Sequence, residues 1–251
     1  MNPNPTPDAA VWARDLTRTF GTFTAVDAIS FEVARGEVFG FLGANGAGKT
    51  TAIKMLTGLL APTSGEATTA GYDVAKEPDA VKRRIGYMSQ RFALYDDLTV
   101  AENVRFYGGV YGLSDDAIET RMTNALETLG FAHVRRERVG RLPLGWKQKL
   151  AFSVALLHEP EVVFLDEPTG GVDPVTRRQF WEMIYAAAAR GTTVFVTTHY
   201  MDEAEYCDRV SIMVAGRIAA LGTPSELKQQ FDTDSMDGVF VKLVRPDRPT
   251  A

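Results

Sequence analysis

Eight consecutive residues, Gly43-Ala44-Asn45-Gly46-Ala47-Gly48-Lys49-Thr50, follow the spacing G-x-x-x-x-G-K-[ST]. Each residue type in that pattern has a task at a phosphate. Glycines let the backbone turn tightly and aim successive N–H groups at phosphate oxygens, and a helix starting there adds the positive end of its dipole. Lys49 brings an ammonium group to the β- and γ-phosphates, and the Thr50 hydroxyl can ligate Mg²⁺. Thr51, next in the chain, is counted with the nucleotide-binding residues. A bare glycine-rich turn is the competing reading, and the flanks speak against it. An apolar strand, Glu37 to Leu42, runs into the loop, and a helix with apolar positions Ile53, Leu56, Leu59 and Leu60 runs out of it.

A second cluster follows the run Val162-Val163-Phe164-Leu165, which ends in Asp166-Glu167. Acids at the carboxyl end of a buried strand stand where parallel sheets bind ligands. Asp166 is placed to hold Mg²⁺ through water, and Glu167 to take a proton from an attacking water. Alone, the run could be a strand ending in solvated acids; together with a phosphate loop it describes a hydrolytic site.

The elements that must position these groups are legible as alternating patterns. Val11 to Phe20 and Thr22 to Val33 read as strands of a hairpin turned at Gly21, and Pro62 with Ser64-Gly65 closes the first strand–loop–helix unit. From Leu98 to His158 the pattern is helical, with helices over Thr99 to Tyr111, Ser114 to Leu129 and about Leu144 to His158. Strand and helix then alternate: Glu161 to Asp166, Pro174 to Ala189, Thr192 to Thr197, Met201 to Tyr206 and Val210 to Val214. Such alternation means a largely parallel sheet covered by helices on both faces. The expected layout is a flexible arm over 1–10, a nucleotide-binding core over 11–97 and 159–230, an inserted helical lobe over 98–158, and a C-terminal helix and tail over 231–251.

Bulk composition excludes several classes. Of the 251 residues 45% are hydrophobic and 24% charged, which is globular rather than disordered. A net charge of −5 argues against nucleic acid as a partner. The single cysteine, Cys207, cannot form an internal disulfide and fits a reducing cytoplasm. No run approaches the roughly 18 to 20 apolar residues needed to cross a bilayer. The opening, Met1 to Asp8, is rich in Pro and Asn rather than basic then apolar, so no secretion signal is expected. A part in transport would require docking onto a separate membrane protein.

The order of the phosphate loop, Gln90, Leu142-Pro143-Leu144-Gly145-Trp146, Asp166-Glu167-Pro168-Thr169, Gly171-Val172-Asp173-Pro174 and Thr198-His199 resembles that of the ABC ATPases over nearly the whole chain. The resemblance implies an α/β fold of the P-loop NTPase (RecA-like) class: a mostly parallel core sheet, an antiparallel β subdomain and an inserted α-helical subdomain. It implies ATP and Mg²⁺ as ligands. Phe20 would stack on the adenine, although an ordinary core aromatic is the alternative; Gln90 would sense the γ-phosphate and Mg²⁺, and His199 would contact the γ-phosphate. Asp173 would lie in a loop crossing to a second ATPase subunit, and Pro143, Leu144, Gly145 and Trp146 would face that subunit's nucleotide.

That last segment departs from the family's L-S-G-G-Q. Pro143 removes a hydroxyl and a backbone N–H together, leaving the helix N-terminus and the Gly145 amide to meet a phosphate. The variant resembles bacterial exporter ATPases of the drug-resistance type with separately encoded permeases, as do Met88-Ser89-Gln90-Arg91-Phe92 and the closing Ser235 to Phe240. The implied role is an ATPase at the cytoplasmic face of the membrane, working on a multi-span permease. Phe92, Ala93, Leu94 and Tyr95, with the helix Thr99 to Tyr111, would dock that permease; core packing is the other reading of the cluster. A soluble ATPase of the same family acting on nucleic acid or the ribosome is the main rival, and a nucleotide-binding scaffold without hydrolysis is another.

Overall fold

The computed structural model describes residues 5–90 and 94–244. Met1 to Asn4, Arg91, the Phe92 and Ala93 part of the expected docking cluster, and the Arg245 to Ala251 tail lie outside the described residues.

The chain opens with β1 (Ala9–Phe20) and β2 (Phe23–Ala34), which pair antiparallel around Gly21-Thr22 with Phe20 opposite Phe23. β3 (Val38–Leu42) is buried along its whole length and leads through the glycine loop into α1 (Lys49–Leu56). That helix ends before Leu59 and Leu60, which the apolar spacing had included. The Thr57 hydroxyl bonds back to the Ile53 carbonyl at 2.9 Å, Gly58 turns left-handed at φ +68°, and both leucine amides close onto the Lys54 carbonyl. The expected closing turn at Ser64-Gly65 is instead the start of a strand, β4 (Ser64–Thr69). Its sequence carries little apolar patterning, and pairing with β1 defines it, with Ala67 opposite Ala13 and Thr69 opposite Val11. Gly65 comes so close to β1 that a Cβ would lie 2.2 Å from the Asp15 carbonyl oxygen.

β5 (Tyr72–Asp73), α2 (Pro78–Arg84) and β6 (Ile85–Met88) complete the first half. The helical insertion holds α3 (Val100–Val110), α4 (Asp115–Leu129) and α5 (Leu144–Ala155). Its boundaries follow local chemistry: Thr99 and Glu102 form a reciprocal capping box, Ser114 caps α4, and Gly130 ends α4 in a left-handed conformation. β7 (Val162–Asp166), α6 (Pro174–Ala188), β8 (Thr193–Thr198), β9 (Arg209–Val214), β10 (Arg217–Gly222), α7 (Pro224–Gln230) and α8 (Met236–Val244) follow. Met201–Tyr206, expected as a helix, is a 3₁₀ segment.

Two sheets result. One is antiparallel, ordered β2-β1-β4-β5; the other is ordered β10-β9-β3-β8-β7-β6, parallel except for the β9–β10 edge. Because side chains alternate across β3, Phe39 and Phe41 face the antiparallel sheet while Val38 and Leu42 face the helical side. Phe39, Phe41 and Phe164 each lie within 5.5 Å, centroid to centroid, of Phe195, and Phe31 from β2 lies 6.1 Å from the same ring. This aromatic layer fixes the antiparallel sheet against the parallel one. It also holds the carboxyl ends of β3, β7 and β8 side by side, and those three ends carry the chemistry.

Candidate nucleotide site

The phosphate loop is shaped by close backbone approaches. Gly43 sits at φ +155°, and a Cβ there would lie 2.5 Å from the Met213 carbonyl oxygen; at Gly48, φ +105°, it would lie 2.3 Å from that of Ala25. Neither position admits another residue without moving β9 or β2. Gly48 is the N-cap of α1, so the loop delivers the chain directly to a helix N-terminus. Lys49, 4% exposed, points back into the loop, where its Nζ donates to the carbonyls of Gly43 at 2.7 Å and Ala44 at 3.2 Å.

Across the loop stand the two acids at the end of β7. Lys49 Nζ lies 3.5 Å from Glu167 Oε1. Burial pulls the ammonium below its usual pKa, and the neighbouring Glu167 and Asp166 oppose that pull. Asp166 is 1% exposed; its Oδ1 accepts from Thr197 Oγ1 at 2.7 Å and Thr50 Oγ1 at 3.4 Å, while its buried Oδ2 has no partner. Burial raises the Asp166 carboxyl, with those two hydroxyl bonds opposing. A hydroxyl and a carboxylate with one unused oxygen are the hard donors that Mg²⁺ takes beside phosphate oxygens, so Thr50 and Asp166 fit the ion.

Glu167 is the convergence point. The Gln90 amide donates to its Oε2 at 2.9 Å, and His199 Nδ1 lies 3.2 Å from the same oxygen, outside hydrogen-bond geometry. The Glu167 backbone, at φ +52°, is held by the carbonyl and the hydroxyl of Thr197, both at 3.1 Å. Gln90 therefore meets the expected base directly, and only its carbonyl oxygen has the chemistry to serve a cation. Thr197, one strand over from both acids, escaped the sequence reading because a threonine inside a buried β-branched run carries no distinguishing signal.

The remaining expected residues divide into outward and inward sets. Phe20 is exposed at the hairpin end with the Arg18 guanidinium 4.6 Å from its ring centre. Pro143 is the N-cap of α5, its φ of −55° matching the ring's own constraint. Leu144 is exposed, and Gly145 packs so tightly on α6 that a Cβ would meet Thr176 Cγ2 at 2.5 Å. Trp146 turns inward instead, stacking on Phe131 at 4.4 Å with His133 against its edge, so its ring is engaged within the helical lobe. Asp173 caps α6, accepting from the amides of Val175 and Thr176 and from the Thr176 hydroxyl; those bonds lower its carboxyl pKa, the hydroxyl first.

A cleft of about 360 Å³ joins the two halves of this arrangement, lined by Gln90, Leu144, Gln148 and Glu167. Gln148 donates across it to the Gly170 carbonyl at 3.0 Å. Of the expected docking cluster, Leu94 is core, whereas Tyr95 is 49% exposed and meets Phe106, 45% exposed, edge to face at 5.1 Å. Asn103 is buried beneath them and clamps the Tyr95 amide and carbonyl.

The family model described as ABC transporter matches residues 26–170. Over 242 residues the chain is 46% identical to the probable multidrug ABC transporter ATP-binding protein YbhF of Escherichia coli K12, covering 94% of this chain and 42% of that protein. The chain thus spans less than half the length of that relative. The linearmycin resistance ATP-binding protein LnrL of Bacillus subtilis is 38% identical over 225 residues, covering 89% of this chain and 72% of that protein. A solved ATP-binding subunit of an ABC transporter superposes with a TM-score of 0.85 at 32% identity, covering 94% of this chain and 99% of that one. No described helix is long and apolar enough to cross a membrane. A phosphate loop facing an Asp-Glu pair, on a fold and a sequence shared with these proteins, leads to one assignment: the chain belongs to the ABC transporter family.

Proposed function

We propose that the chain hydrolyses ATP to drive an exporter of the drug-resistance type, closing against a second ATPase subunit and moving a separate multi-span permease at the cytoplasmic face of the membrane. The observation that carries the reading is the convergence on Glu167, which meets Lys49 from the phosphate loop, Gln90 from the end of β6 and His199 from the end of β8. A carboxylate gripped from three elements is poised to report nucleotide to all of them.

Nucleotide binding would exchange partners. The amides of Gly43, Ala44, Asn45, Gly46, Ala47 and Gly48 face the phosphates, Lys49 turns from its own loop carbonyls to the β- and γ-oxygens, Thr51 flanks them, and Phe20 offers a ring to the adenine. Thr50, Asp166 and the Gln90 carbonyl would hold Mg²⁺, which screens charge on the phosphates. Glu167, released from Lys49, accepts a proton from a water; the water oxygen bonds to the γ-phosphorus as the bond to the bridging oxygen breaks, and His199 donates to the γ-phosphate. Pro143, Leu144, Gly145 and Asp173 would meet the partner subunit, with Trp146 anchoring their helix from inside. The exposed pair Tyr95 and Phe106, with the Tyr95 backbone clamped by Asn103, is the surface offered to the permease.

The division into an ATP-binding core over 11–97 and 159–230 and a helical lobe over 98–158 fits such a machine, because the cleft between Glu167 and Gln148 lies at their border. Co-purification with a multi-span protein tests the transport part. A Tyr95→Ala/Phe106→Ala double variant is expected to lose that partner and keep its ATP affinity. Retention of the partner would remove the docking assignment, and phosphate release unchanged in Glu167→Gln would remove Glu167 as the group that takes the proton from the attacking water.

A further inference from the structure

Four residues beyond His199 lies Glu203, a carboxylate with 0% exposure on the 3₁₀ segment Met201–Tyr206. Burying a carboxylate is unfavourable unless partners replace its water. Its Oε1 accepts from Thr169 Oγ1 at 2.6 Å, and Arg177 Nε lies 3.4 Å from the same oxygen, outside hydrogen-bond geometry; Oε2 has no partner. The Arg177 guanidinium also sits 4.6 Å from the Tyr200 ring centre and 3.6 Å from Asp202, and the Tyr200 ring lies 4.2 Å from that of His199.

These contacts link particular places. Thr169 is two residues past Glu167, in the turn after β7, and Tyr200 is one past His199, after β8. The two loops are already tied at their bases by the Glu167 amide on Thr197. Glu203 adds a second tie farther out, where strand pairing has ended. The same turn is held from its other side by Gln148 of α5 on Gly170. A single side-chain route thus runs from the helical lobe through the Glu167–Gly170 turn and Glu203 to the loop that carries His199.

We propose that Glu203 is a positioning residue: through Thr169 and Arg177 it sets where the His199 imidazole stands relative to the Glu167 carboxylate. The hydrolytic part of this rests on the function proposed above; the geometric part does not. Glu203→Gln keeps an oxygen to accept from Thr169 and removes the charge that attracts Arg177, whereas Thr169→Val breaks the hydroxyl bond without changing charge. Each is expected to lower kcat by about tenfold or more, since ångström-scale misplacement suffices for that. KM for ATP should stay within about twofold, because Lys49 and its loop are untouched. Thr169→Ser, which keeps the hydroxyl, should restore kcat.

The chain has three histidines, His133, His158 and His199, so ¹³C-labelled imidazole spectra read the geometry without turnover. Both Glu203→Gln and Thr169→Val should move the His199 resonances and leave His133 and His158 in place. Unmoved His199 signals in both variants, or a KM that rises as kcat falls, would overturn the proposal. Should Glu203→Gln fail to fold, the Thr169→Val and Thr169→Ser pair decides alone. Shifted His199 signals with unchanged kcat would leave the tie standing and overturn instead the hydrolytic role of His199.

Discussion

Replacing Glu167 with glutamine should destabilise the free chain and stabilise its complex with MgATP. The substitution keeps the side-chain shape and removes one negative charge 3.5 Å from Lys49 Nζ. At that separation two unit charges attract by about 5 kcal/mol at an effective dielectric constant of about 20. This is a ceiling. Asp166 gains when its like-charged neighbour is neutralised, and Lys49 keeps the carbonyls of Gly43 and Ala44. A net loss of about 1–2 kcal/mol is expected, which in a chain this size lowers Tm by about 2–8 °C. With MgATP the order should invert. Phosphate oxygens become the counter-charge of Lys49, and the carboxylate that repels them is gone, so the variant should melt above the native chain. Phosphate release should fall by about 100-fold or more with the loss of the proposed general base. Paired thermal melts with and without MgATP, together with phosphate release, test all three. A free variant that melts higher than the native chain, or one that keeps more than about a tenth of the phosphate release, would refute the reasoning.

Gly48→Ala places a Cβ 2.3 Å from the Ala25 carbonyl oxygen at φ +105°, so it should abolish binding of a fluorescent ATP analogue and cost about 1–3 kcal/mol of stability by chemical denaturation. Lys49 has a native pKa below the usual 10.5, so between the two values the unfolded chain binds more protons than the native one, and this group makes stability rise with pH. Below its native pKa the penalty is constant. Lys49→Met should therefore flatten the stability–pH curve in that alkaline window, measured by denaturant unfolding, and weaken ATP binding at neutral pH. Pro143→Ser supplies an N-cap hydroxyl that α5 lacks and should add about 1 kcal/mol of stability. Its ATPase rate with reconstituted permease should be equal or higher; a large loss would contradict a merely weakened contact at this position.

Much of the site was legible because its parts are local in sequence. A phosphate loop needs glycines, a lysine and a hydroxyl within eight residues, and the Gly43 to Thr50 run has them between a strand and a helix. The pairing of β1 with β2 was legible for the same reason, since a hairpin's partners are neighbours along the chain. β4 was not: Ser64 to Thr69 carries no apolar alternation, and it is a strand only because β1 offers it an edge. α1 stops at Leu56 although Leu59 and Leu60 keep the helical spacing, because Thr57 and Gly58 close the turn.

By itself the sequence determined the phosphate-loop pattern, the α/β class and the family, since residue types at fixed spacing are what a tight glycine turn between a strand and a helix selects. Tertiary structure alone decided that Glu167, Gln90, Lys49 and His199, drawn from elements up to 150 positions apart in the chain, meet at one carboxylate, that Thr197 holds the Glu167 amide, and that Glu203 is buried against Thr169. It also decided that Trp146 faces inward while Leu144 faces out. Those outcomes depend on which strands lie side by side and which aromatic rings pack between the two sheets. Such long-range contacts form between residues whose sequence neighbours carry no record of them.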